Sequence, residues 1–276
     1  MNKKILISII TFNPDINVLS SSILKLIKSD FNIIIMDNNS SNFREIKKRF
    51  QNIKNLKFIS KSENLGLSVR LNEIFRSAIK DKFDYVLYLD QDSIVSDLLI
   101  SEYEKNASLF TILVSNYKER MIKNHKNRKF NKNLPPILSG SLISTKTWLR
   151  IGAFDENLFI DGIDFDFFYR ANKSGISIIR VPNVWISHQI GEGKYVGFLF
   201  FKIYTQNHNS FRKRNIAFSL VYLSRKNKSF FYKIKKYLSL MKLIIFVFIE
   251  PNSLEKSIEI MKGIKDGYSK SVIINL

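Results

Sequence analysis

The stretch that decides the fold is YVLYLDQD, residues 85–92, in which five apolar and aromatic residues run directly into Asp-Gln-Asp. An unbroken apolar run of this length is typical of a strand that is buried on both faces of a parallel sheet. Similar runs occur earlier, at Ile5–Ile10, Phe31–Met36 and Leu56–Ile59. Segments with helical spacing of their apolar residues separate the four runs, at Ile16–Lys28, Asn42–Phe50 and Leu67–Ile79. This alternation predicts an α/β fold with a parallel sheet and right-handed crossovers.

Short polar residues follow each of the four predicted strands. In open parallel sheets, ligands bind outside the carboxyl ends of the strands. Because those ends meet at one edge of the sheet, the polar residues predict a single shared crevice. They are Thr11, Asn13, Asp37, Asn38, Asn64, Gly66, Asp90 and Asp92.

The composition excludes several classes of protein. With 276 residues, 45% of them hydrophobic, the chain can bury a core, so it is neither disordered nor a fibrous repeat. It has no cysteine, which excludes disulfide frameworks, thiolate metal sites and thiol nucleophiles. A net charge of +20 indicates an anionic partner: a nucleic acid, an acidic membrane face or a phosphorylated substrate.

The apolar runs are too short for membrane insertion. Ile5–Ile10 is shorter than the core of a signal peptide, and TFNP follows it instead of a small-residue cleavage site. The longest other apolar stretch is Leu243–Ile249, whereas a bilayer span needs about 20 apolar residues. We therefore expect no transmembrane helix.

The rest of the chain carries weaker signals. We predict a mobile basic loop at Lys118–Asn133, a short strand at Ile137–Leu138, a turn at Gly152–Glu156 and a strand at Ile176–Val181. Residues 194–276 contain 16 Lys and Arg against 4 Asp and Glu, a net charge of +12. This part is rich in aromatic residues, and we expect it to be helical.

Asp90 and Asp92 form the first candidate site. Two carboxylates at i and i+2, on a turn that leaves a strand, can face one divalent cation such as Mg²⁺ or Mn²⁺. A solvated turn is the simpler explanation of an isolated Asp-x-Asp, but the position at the end of a core strand favours the cation. His188, which ends a predicted strand, could add a nitrogen ligand, although a lone histidine is more often structural.

A second group of acids, Asp161, Asp164 and Asp166, alternates with Ile and Phe. If these acids are partly buried, their repulsion raises at least one pKa and produces a candidate carboxylate base. Asp166 and Arg170 are four residues apart and could pair on one helical face. The alternative is a helix N-terminus, where the helix dipole favours acids. That alternative accounts for one or two of the three acids.

Seven short motifs follow one another along the chain: TFNP (11–14), DNNS (37–40), NLG (64–66), LDQDS (89–93), SGSL (139–142), GAFDENLFID (152–161) and His188. They occur in the same order in glycosyltransferase family 2, which this chain resembles over residues 4–225. Each motif is weak alone, but seven in order are specific. The RN at 214–215 resembles the Arg-Asn that closes the family's catalytic part. The DQDS and LFID variants, at residues 90–93 and 158–161, resemble the bacterial rhamnosyltransferases of O-antigen and related polysaccharides.

The resemblance implies a GT-A fold, a nucleotide-sugar donor, Mg²⁺ or Mn²⁺, and inversion at the anomeric carbon. Asp90 and Asp92 would hold the cation on the diphosphate, with His188 as a further ligand. Asp164 matches the base that deprotonates the acceptor hydroxyl. The nucleotide-sugar site would comprise Thr11, Phe12, Asn13, Asp37, Asn38, Asn64, Gly66, Arg70, Asp90, Gln91, Gly140 and Ser141.

Two departures from the family's pattern leave questions open. The family has Glu or Asp-Glu near the base, where this chain has Asp164-Phe165-Asp166, so Asp161 is a rival base. Asp166 and Arg170 would support whichever carboxylate is the base. The aromatic pair expected before Arg-Asn is kept only in part, as Ser210-Phe211, which leaves the acceptor open.

The resemblance also implies a domain organisation and a substrate. We expect a GT-A catalytic domain over residues 1–193, with a nucleotide-sugar half (1–95) and an acceptor half (96–193), followed by a helical, membrane-associating extension (194–276). The first choice of donor is dTDP-rhamnose, and UDP-hexoses are the alternative. The acceptor expected is a lipid-linked saccharide of surface polysaccharide synthesis.

Two rival functions fit the sequence less well. A nucleotidyltransferase needs a glycine-rich basic loop after the first strand, and TFNP at 11–14 has neither glycine nor lysine. A nucleic-acid-binding protein would explain the charge of +20 but would leave the clustered acids without purpose, because they repel phosphate. We therefore expect no nucleic-acid partner.

The tail suggests a membrane partner. Residues Phe198–Ile249 combine many aromatic and basic side chains, which suits an interfacial helix on an anionic leaflet. The alternative is that this stretch packs on the catalytic domain and its lysines are merely solvated. The membrane alternative predicts a peripheral enzyme on the cytoplasmic face of the inner membrane.

Overall fold

The computed structural model describes residues 3–28, 30–119, 135–188, 194–198 and 201–272, and only the backbone at 118, 119, 188, 194–198 and 201–204. The described strands are β1 (Ile5–Thr11), β2 (Asn32–Asp37), β3 (Leu56–Ser60), β4 (Tyr85–Asp90), β5 (Ile94–Val95), β6 (Thr111–Glu119), β7 (Ser141–Ser144), β8 (Ser177–His188), β9 (Lys194–Phe198) and β10 (Phe201–Thr205). The described helices are α1 (Ile16–Leu26), α2 (Phe43–Phe50), α3 (Leu67–Lys80), α4 (Leu99–Asn106), α5 (Thr145–Ile151), α6 (Ile163–Lys173), α7 (Ser210–Lys226), α8 (Phe230–Val247) and α9 (Ser253–Ser269).

Two compact units divide these elements. The first unit comprises Met1–Glu156 and Phe167–Gln189, and the second comprises Asn157–Asp166 and Ile190–Leu276. The predicted boundary at residue 193, and the predicted division of the catalytic part at residue 95, stay predictions.

The first unit is built on an eight-stranded sheet of order β3-β2-β1-β4-β7-β6-β8-β5. Four of its neighbouring pairs are parallel, including the three that join β3, β2, β1 and β4. The other three pairs are antiparallel. The predicted α/β fold with a mostly parallel sheet is therefore confirmed, and the first four strands appear where the sequence placed them.

Apolar residues explain why β1 is central in this sheet. All seven of its residues are buried, and Ile7 and Ile9 are fully buried. Leu19 and Ile23 of α1 belong to the same core. The helix begins where Asp15 accepts hydrogen bonds from the backbone N–H groups of Asn17 and Val18, at 2.8 and 3.1 Å. The sheet and its helices therefore fix the carboxyl ends of β1, β2 and β4.

The second unit packs α7 against α8 and α9. Its core contains Ala217 and Val221 of α7, Leu240 of α8 and Ile260 of α9. Gly263 permits a close approach of two helices, since an added Cβ would lie 2.2 Å from the carbonyl oxygen of Arg214. The expected C-terminal helices are confirmed.

Three sequence expectations need correction. Ile137–Leu138 is not a strand: Ser141 donates from its backbone N–H to the carbonyl of Leu138 at 2.9 Å, which closes a turn, and the strand begins at Ser141. β9 and β10 form an antiparallel hairpin where helix was expected, with Lys194 opposite Thr205. Lys118 and Glu119 end β6 instead of beginning a loop, and the rest of the predicted loop, 120–133, lies outside the described residues.

No helix in the described part of the chain is long and apolar enough to cross a membrane.

Candidate active site

The ends of β1 and β2 are joined by a buried hydrogen bond. Thr11 and Asp37 are register partners in the two parallel strands, and the Thr11 hydroxyl donates to Asp37 Oδ1 at 2.9 Å. The backbone N–H of Ser40 donates to Asp37 Oδ2 at 2.8 Å. Both predicted site residues are fully buried. Asp37 therefore orders the loop that follows β2 from a buried position.

Asn38 lies at the centre of a second network. Its Nδ2 donates to Asn64 Oδ1 at 2.6 Å, and its Oδ1 accepts from Arg70 Nε at 2.8 Å. Arg70 is buried and also donates to Glu73 at 3.0 Å and to the carbonyl of Glu63 at 2.6 Å. The Arg70 guanidinium thus fixes the loop between β3 and α3. Arg70 is among the residues predicted for the nucleotide-sugar site, and that prediction did not distinguish direct contact with the nucleotide from this supporting role.

Gly66 begins the turn into α3. Its φ of 86° lies in the left-handed region that favours glycine, and its N–H donates to Asn64 Oδ1 at 3.0 Å. Asn64 thereby links the ends of β2 and β3, as the grouped strand ends predicted.

Gln91 holds the peptide of Phe12. Its Oε1 accepts from the N–H of Phe12 at 2.8 Å, and its Nε2 donates to the carbonyl of the same residue at 3.3 Å. Asn13 has a φ of 46°, and its Oδ1 accepts from the backbone N–H of Ser41 at 2.8 Å. The side chain of Phe12 is 47% exposed, so an aromatic face is open to a ligand at the end of β1.

Asp90 and Asp92 stand on a β-turn that leaves β4. The N–H of Ser93 donates to the carbonyl of Asp90 at 3.0 Å, which makes Gln91 and Asp92 the central residues of the turn. The Tyr88 hydroxyl donates to Asp90 Oδ1, and the N–H of Asp90 donates to the Ser139 hydroxyl at 2.9 Å. Both carboxylates are half-buried at the edge where the strands end.

Gly140 and Ser141 pack against the same strand end. The N–H of Gly140 donates to the carbonyl of Tyr88 at 2.8 Å, and a Cβ at Gly140 would lie 2.3 Å from the Ser115 hydroxyl oxygen. Only glycine fits here, at a φ of 76°. Ser141 is fully buried and donates to the carbonyl of Ile137 at 2.7 Å. Its hydroxyl therefore stabilises the loop.

The residues at the end of β4 fit a divalent cation. Mg²⁺ and Mn²⁺ bind oxygen ligands, and in phosphate-transferring sites Mg²⁺ takes one or two carboxylates and completes its shell with phosphate and water. Asp90 and Asp92 provide such a pair. Among the described residues no cluster of three or more His, Asp or Glu could hold a metal. His188 ends β8 opposite Glu119, and only its backbone is among the described parts of the structure.

The acidic segment Asn157–Asp166 belongs to the second unit, where it lies along α7. Asn157 donates to the hydroxyl of Tyr222 at 3.1 Å, and the rings of Phe159 and Phe211 meet edge to face at 5.5 Å. A Cβ at Gly162 would lie 2.9 Å from the Cβ of Ser219. These contacts explain why the segment groups with the C-terminal helices.

Asp161 lies beside a cation, and its side chain is 15% exposed. Arg212 of α7 donates to Asp161 Oδ1 from Nε and from Nη2, each at 3.4 Å. Among the described residues, Asp161 Oδ2 has no hydrogen-bond partner. Burial raises the pKa of Asp161, and the Arg212 guanidinium offsets part of that rise.

Asp164 and Asp166 lie in the first turn of α6. Asp164 is half-buried, whereas Asp166 is buried and bound by Lys226 Nζ at 2.8 Å. A carboxylate in the first turn is favoured by the helix dipole, as the simpler sequence interpretation held. The three acids thus occupy different environments within ten residues of chain.

Arg170, in the first unit, binds backbone carbonyls. It donates to the carbonyls of Ile151, Gly152 and Ala153 at 2.9, 3.1 and 3.0 Å. Its guanidinium therefore stabilises the turn after α5, where Gly152 has a φ of 86°. That anchoring role was not among the sequence expectations.

Sequence reasoning missed four supporting residues: Tyr88, Ser139, Arg212 and Lys226. Tyr88 could have been found, because residues two apart in a strand share a face and it precedes Asp90 by two. Ser139 begins the SGSL motif, but nothing in that motif links it to Asp90. Arg212 and Lys226 are distant in sequence from the acids that they contact. Their roles depend on tertiary packing.

Comparison with known proteins identifies the family of the chain. Residues 7–164 match the sequence profile of glycosyl transferase family 2. The chain belongs to this family. The dTDP-rhamnosyl transferase RfbF of Shigella flexneri is 24% identical over 212 residues, which are 70% of this chain and 71% of that protein. The predicted family and the predicted glycosyltransferase activity are thus confirmed.

Two solved structures share the GT-A fold with this chain. The S. aureus TarS 1–349 complex with UDP has a TM-score of 0.55 at 13% identity, covering 97% of this chain and 72% of that one. GalNAc-T7 with UDP, GalNAc and Mn²⁺ has a TM-score of 0.60 at 16% identity, covering 97% of this chain and 56% of that one. At these identities the likeness establishes the fold.

Proposed function

We propose that this glycosyltransferase transfers L-rhamnose from dTDP-rhamnose, with inversion, to a lipid-linked saccharide in surface polysaccharide synthesis. The observation that carries the proposal is the joining of the strand ends. Side chains at the ends of β1, β2, β3 and β4 hold one another through hydrogen bonds, from Thr11–Asp37 to Gln91–Phe12. Such a preorganised edge suits a nucleotide, because ligands of open α/β sheets bind there.

The choice of dTDP-rhamnose rests on the DQDS variant at 90–93 and on the RfbF relative, which is named as a dTDP-rhamnosyl transferase. A UDP-hexose donor is the alternative. It is favoured by fold neighbours described in complex with UDP and with UDP-GlcNAc. Both donors carry a diphosphate, so the same strand ends serve either.

On the donor side, the framework positions the groups that contact the nucleotide. Phe12, with its exposed ring, would border the base, and Asn13 and Asn38 would border the ribose and phosphates. Thr11, Asp37, Asn64 and Arg70 would act by holding these loops in place. Gly66, Gly140 and Ser141 would shape the backbone close to the donor.

Asp90, Asp92 and His188 would hold Mg²⁺ or Mn²⁺. When bound, the cation supplies electrostatic stabilisation of the leaving nucleoside diphosphate, which departs as a polyanion. Tyr88 and Ser139 would position Asp90 through its carboxylate and its N–H. Gln91 would hold the turn after β4 against the end of β1 through its hydrogen bond with Phe12.

Asp164 would accept the proton of the acceptor hydroxyl as that oxygen attacks the anomeric carbon. A base must reach the proton it removes, and Asp164 is half-buried in a helical first turn. Asp161 is the rival, because burial raises its pKa, but its Oδ1 is bound by Arg212 and its Oδ2 is buried. Asp166 and Arg170 would then support the base. Asp166 would do so through its ion pair with Lys226, and Arg170 through the backbone carbonyls that it binds after α5.

The acceptor and the location complete the proposal. A lipid-linked acceptor requires access to a membrane, which the basic, aromatic residues 194–276 would provide from the cytoplasmic face of the inner membrane. The enzyme would be peripheral at that surface.

A donor screen tests the proposal. Purified protein is incubated with Mg²⁺ or Mn²⁺ and dTDP-rhamnose, UDP-galactose, UDP-glucose or UDP-N-acetylglucosamine, and release of nucleoside diphosphate is measured. We expect turnover with dTDP-rhamnose that EDTA abolishes. Turnover with a UDP-hexose alone would establish the alternative donor. Salt-dependent retention on DNA without binding of any sugar nucleotide would instead favour a nucleic-acid-binding protein.

A further inference from the structure

An exposed apolar stripe runs along α8. From Phe231 onward, its side chains recur at intervals of three and four residues, which places them on one helical face. Phe231 is 82% exposed, Phe230 70% and Phe248 68%. The stripe consists of Phe230, Phe231, Ile234, Leu238, Met241, Ile245 and Phe248.

A second stripe runs along α9, at Leu254, Ile258, Met261 and Tyr268. The two helices are neighbours in the second unit, since the hydroxyls of Tyr237 and Tyr268 lie 3.4 Å apart. The core of this unit uses other faces, through Leu240 and Ile260. The exposed stripes therefore do not contribute to the hydrophobic core of the unit.

Basic residues border both stripes. Helix α8 contains four lysines and no acid over Phe230–Val247. Of these, Lys235 and Lys242 are exposed, as is Lys265 of α9. Lys262 of α9 is also exposed, and it pairs with Glu259 at 2.6 Å. An apolar strip with exposed lysines on its margins is complementary to a surface that is apolar inside and anionic outside.

We propose that the stripes of α8 and α9 together form a docking face for an anionic lipid bilayer. This inference deepens the membrane partner of the proposed function, on which it rests, and it extends the surface to α9, beyond the segment that the sequence indicated. A second copy of the chain is a poorer occupant. Residues 194–276 carry a net charge of +12, so pairing two such faces would bring like charges together.

The docking face is connected to the acidic segment within the same unit. On α8, Lys236 is buried, and its Nζ lies 3.8 Å from the centre of the Phe165 ring. In the sequence, Phe165 stands between Asp164 and Asp166. A cation at this distance from a ring is attracted to its face. A bilayer bound along α8 would therefore lie one helix width away from the segment that carries the proposed base, which suits an acceptor held in the membrane.

The test compares two sets of substitutions in the full chain. The face variant combines Phe231→Ser, Leu238→Ser and Phe248→Ser. The matched control combines Leu24→Ser, Leu98→Ser and Leu149→Ser, whose side chains are 55%, 53% and 60% exposed in the first unit. Circular dichroism and thermal unfolding establish that both variants fold as the parent chain does.

Co-sedimentation is measured with vesicles of neutral phosphatidylcholine and with vesicles that also contain phosphatidylglycerol. We expect the parent chain to prefer anionic vesicles and the face variant to bind them at least about tenfold more weakly, while the control binds normally. A charge variant, Lys235→Gln with Lys242→Gln and Lys265→Gln, should lose about fivefold per lysine at low salt.

Three outcomes would overturn the proposal: equal binding by the parent chain and the face variant, equal binding to neutral and anionic vesicles, or a dimer in solution that the face variant abolishes. Nucleoside diphosphate release without vesicles separates this inference from the proposed function. Normal release with no vesicle binding defeats the docking face alone. Normal vesicle binding with no turnover of any sugar nucleotide defeats the proposed function and leaves the face in place.

Discussion

The strand ends of the first unit and the acidic segment of the second unit hold their polar groups in different ways. At the strand ends, hydroxyl, amide and backbone groups make most of the links, as in Asn38–Asn64 and Gln91–Phe12. In the second unit, carboxylates are set against cations, as in Asp161–Arg212 and Asp166–Lys226. Amide links such as Asn38–Asn64 contain no titratable group, whereas a buried ion pair such as Asp166–Lys226 makes the second unit sensitive to the loss of one partner.

The second unit contains a further buried cluster of charges. Glu250 accepts from Lys213 at 2.8 Å and from Lys256 at 3.0 Å, and all three side chains are nearly inaccessible. The Thr205 hydroxyl also donates to Glu250. Two ammonium groups share one carboxylate, so the cluster joins the end of β10, α7 and α9 electrostatically.

The largest expected effect is at the end of β4. Asp92→Ala should abolish metal-dependent turnover while leaving the fold intact, because the proposed cation site loses one of its two carboxylates. Turnover is measured across a titration of Mn²⁺ and Mg²⁺, with thermal unfolding as the control for folding. Near-normal turnover at low metal concentration would defeat the metal assignment.

The next effect distinguishes the acids of the second unit. Asp164→Asn should bind donor nucleotide normally and lose transfer by about 10² to 10⁴, the range for removal of a general base. Asp161→Asn should be milder, since Asp161 is held by Arg212. Nucleotide affinity and transfer rate are measured on both variants. The opposite ranking would move the base to Asp161.

Glu250→Gln tests the dependence of the second unit on buried charge pairs. It leaves two buried lysines without their carboxylate, so the free energy of unfolding should fall by about 3–5 kcal/mol. The matched control is Glu259→Gln, whose partners Arg214 and Lys262 are about half exposed. That control should cost less than about 1 kcal/mol. Equal losses in urea unfolding would contradict the special role of the buried cluster.

His208 makes the second unit sensitive to acid. Burial, with nearby Arg212 and Lys213, lowers its pKa from 6.5 to about 4. The unfolded chain therefore binds the proton more tightly between these values, so stability is complete above pH 6.5 and falls as the pH drops toward 4. By pH 5 the loss should be about 2 kcal/mol. Unfolding is followed by denaturant titration from pH 7.5 to 4.5, and His208→Gln should flatten the profile over that window. If the parent chain were equally stable at pH 7 and pH 5, His208 would not be a source of acid sensitivity.

The smallest effect tests whether the Tyr88 hydroxyl positions the metal ligand Asp90. Tyr88→Phe removes the hydroxyl that donates to Asp90, a hydrogen bond worth about 0.5–1.5 kcal/mol. We expect a twofold to tenfold weaker apparent affinity for Mn²⁺, by that estimate, with kcat preserved at saturating metal. A fall in kcat with unchanged metal affinity would assign Tyr88 a different role. Tyr85→Phe, on the opposite face of β4, is the matched control.

Much of this arrangement was predictable because it is local. The apolar runs located β1, β2, β3 and β4 to within a residue or two, since strands buried on both faces leave a continuous hydrophobic signal. β6 and β7 were not located correctly, because they pair with strands distant in sequence and β7 is only four residues long. The hairpin β9–β10 was missed because its basic and aromatic composition resembles that of the helices after it.

By itself, the sequence determined the α/β class, the polar strand ends and the membership in glycosyl transferase family 2, because hydrophobic periodicity and short motifs are properties of neighbouring residues. Only the tertiary structure decided which acids are paired, how deeply each is buried and which apolar residues stay outside the core. Asp161, Asp164 and Asp166 are close in sequence, yet Arg212 and Lys226 give two of them different surroundings. Burial and charge pairing depend on contacts between distant residues, and those contacts exist only once the chain has folded.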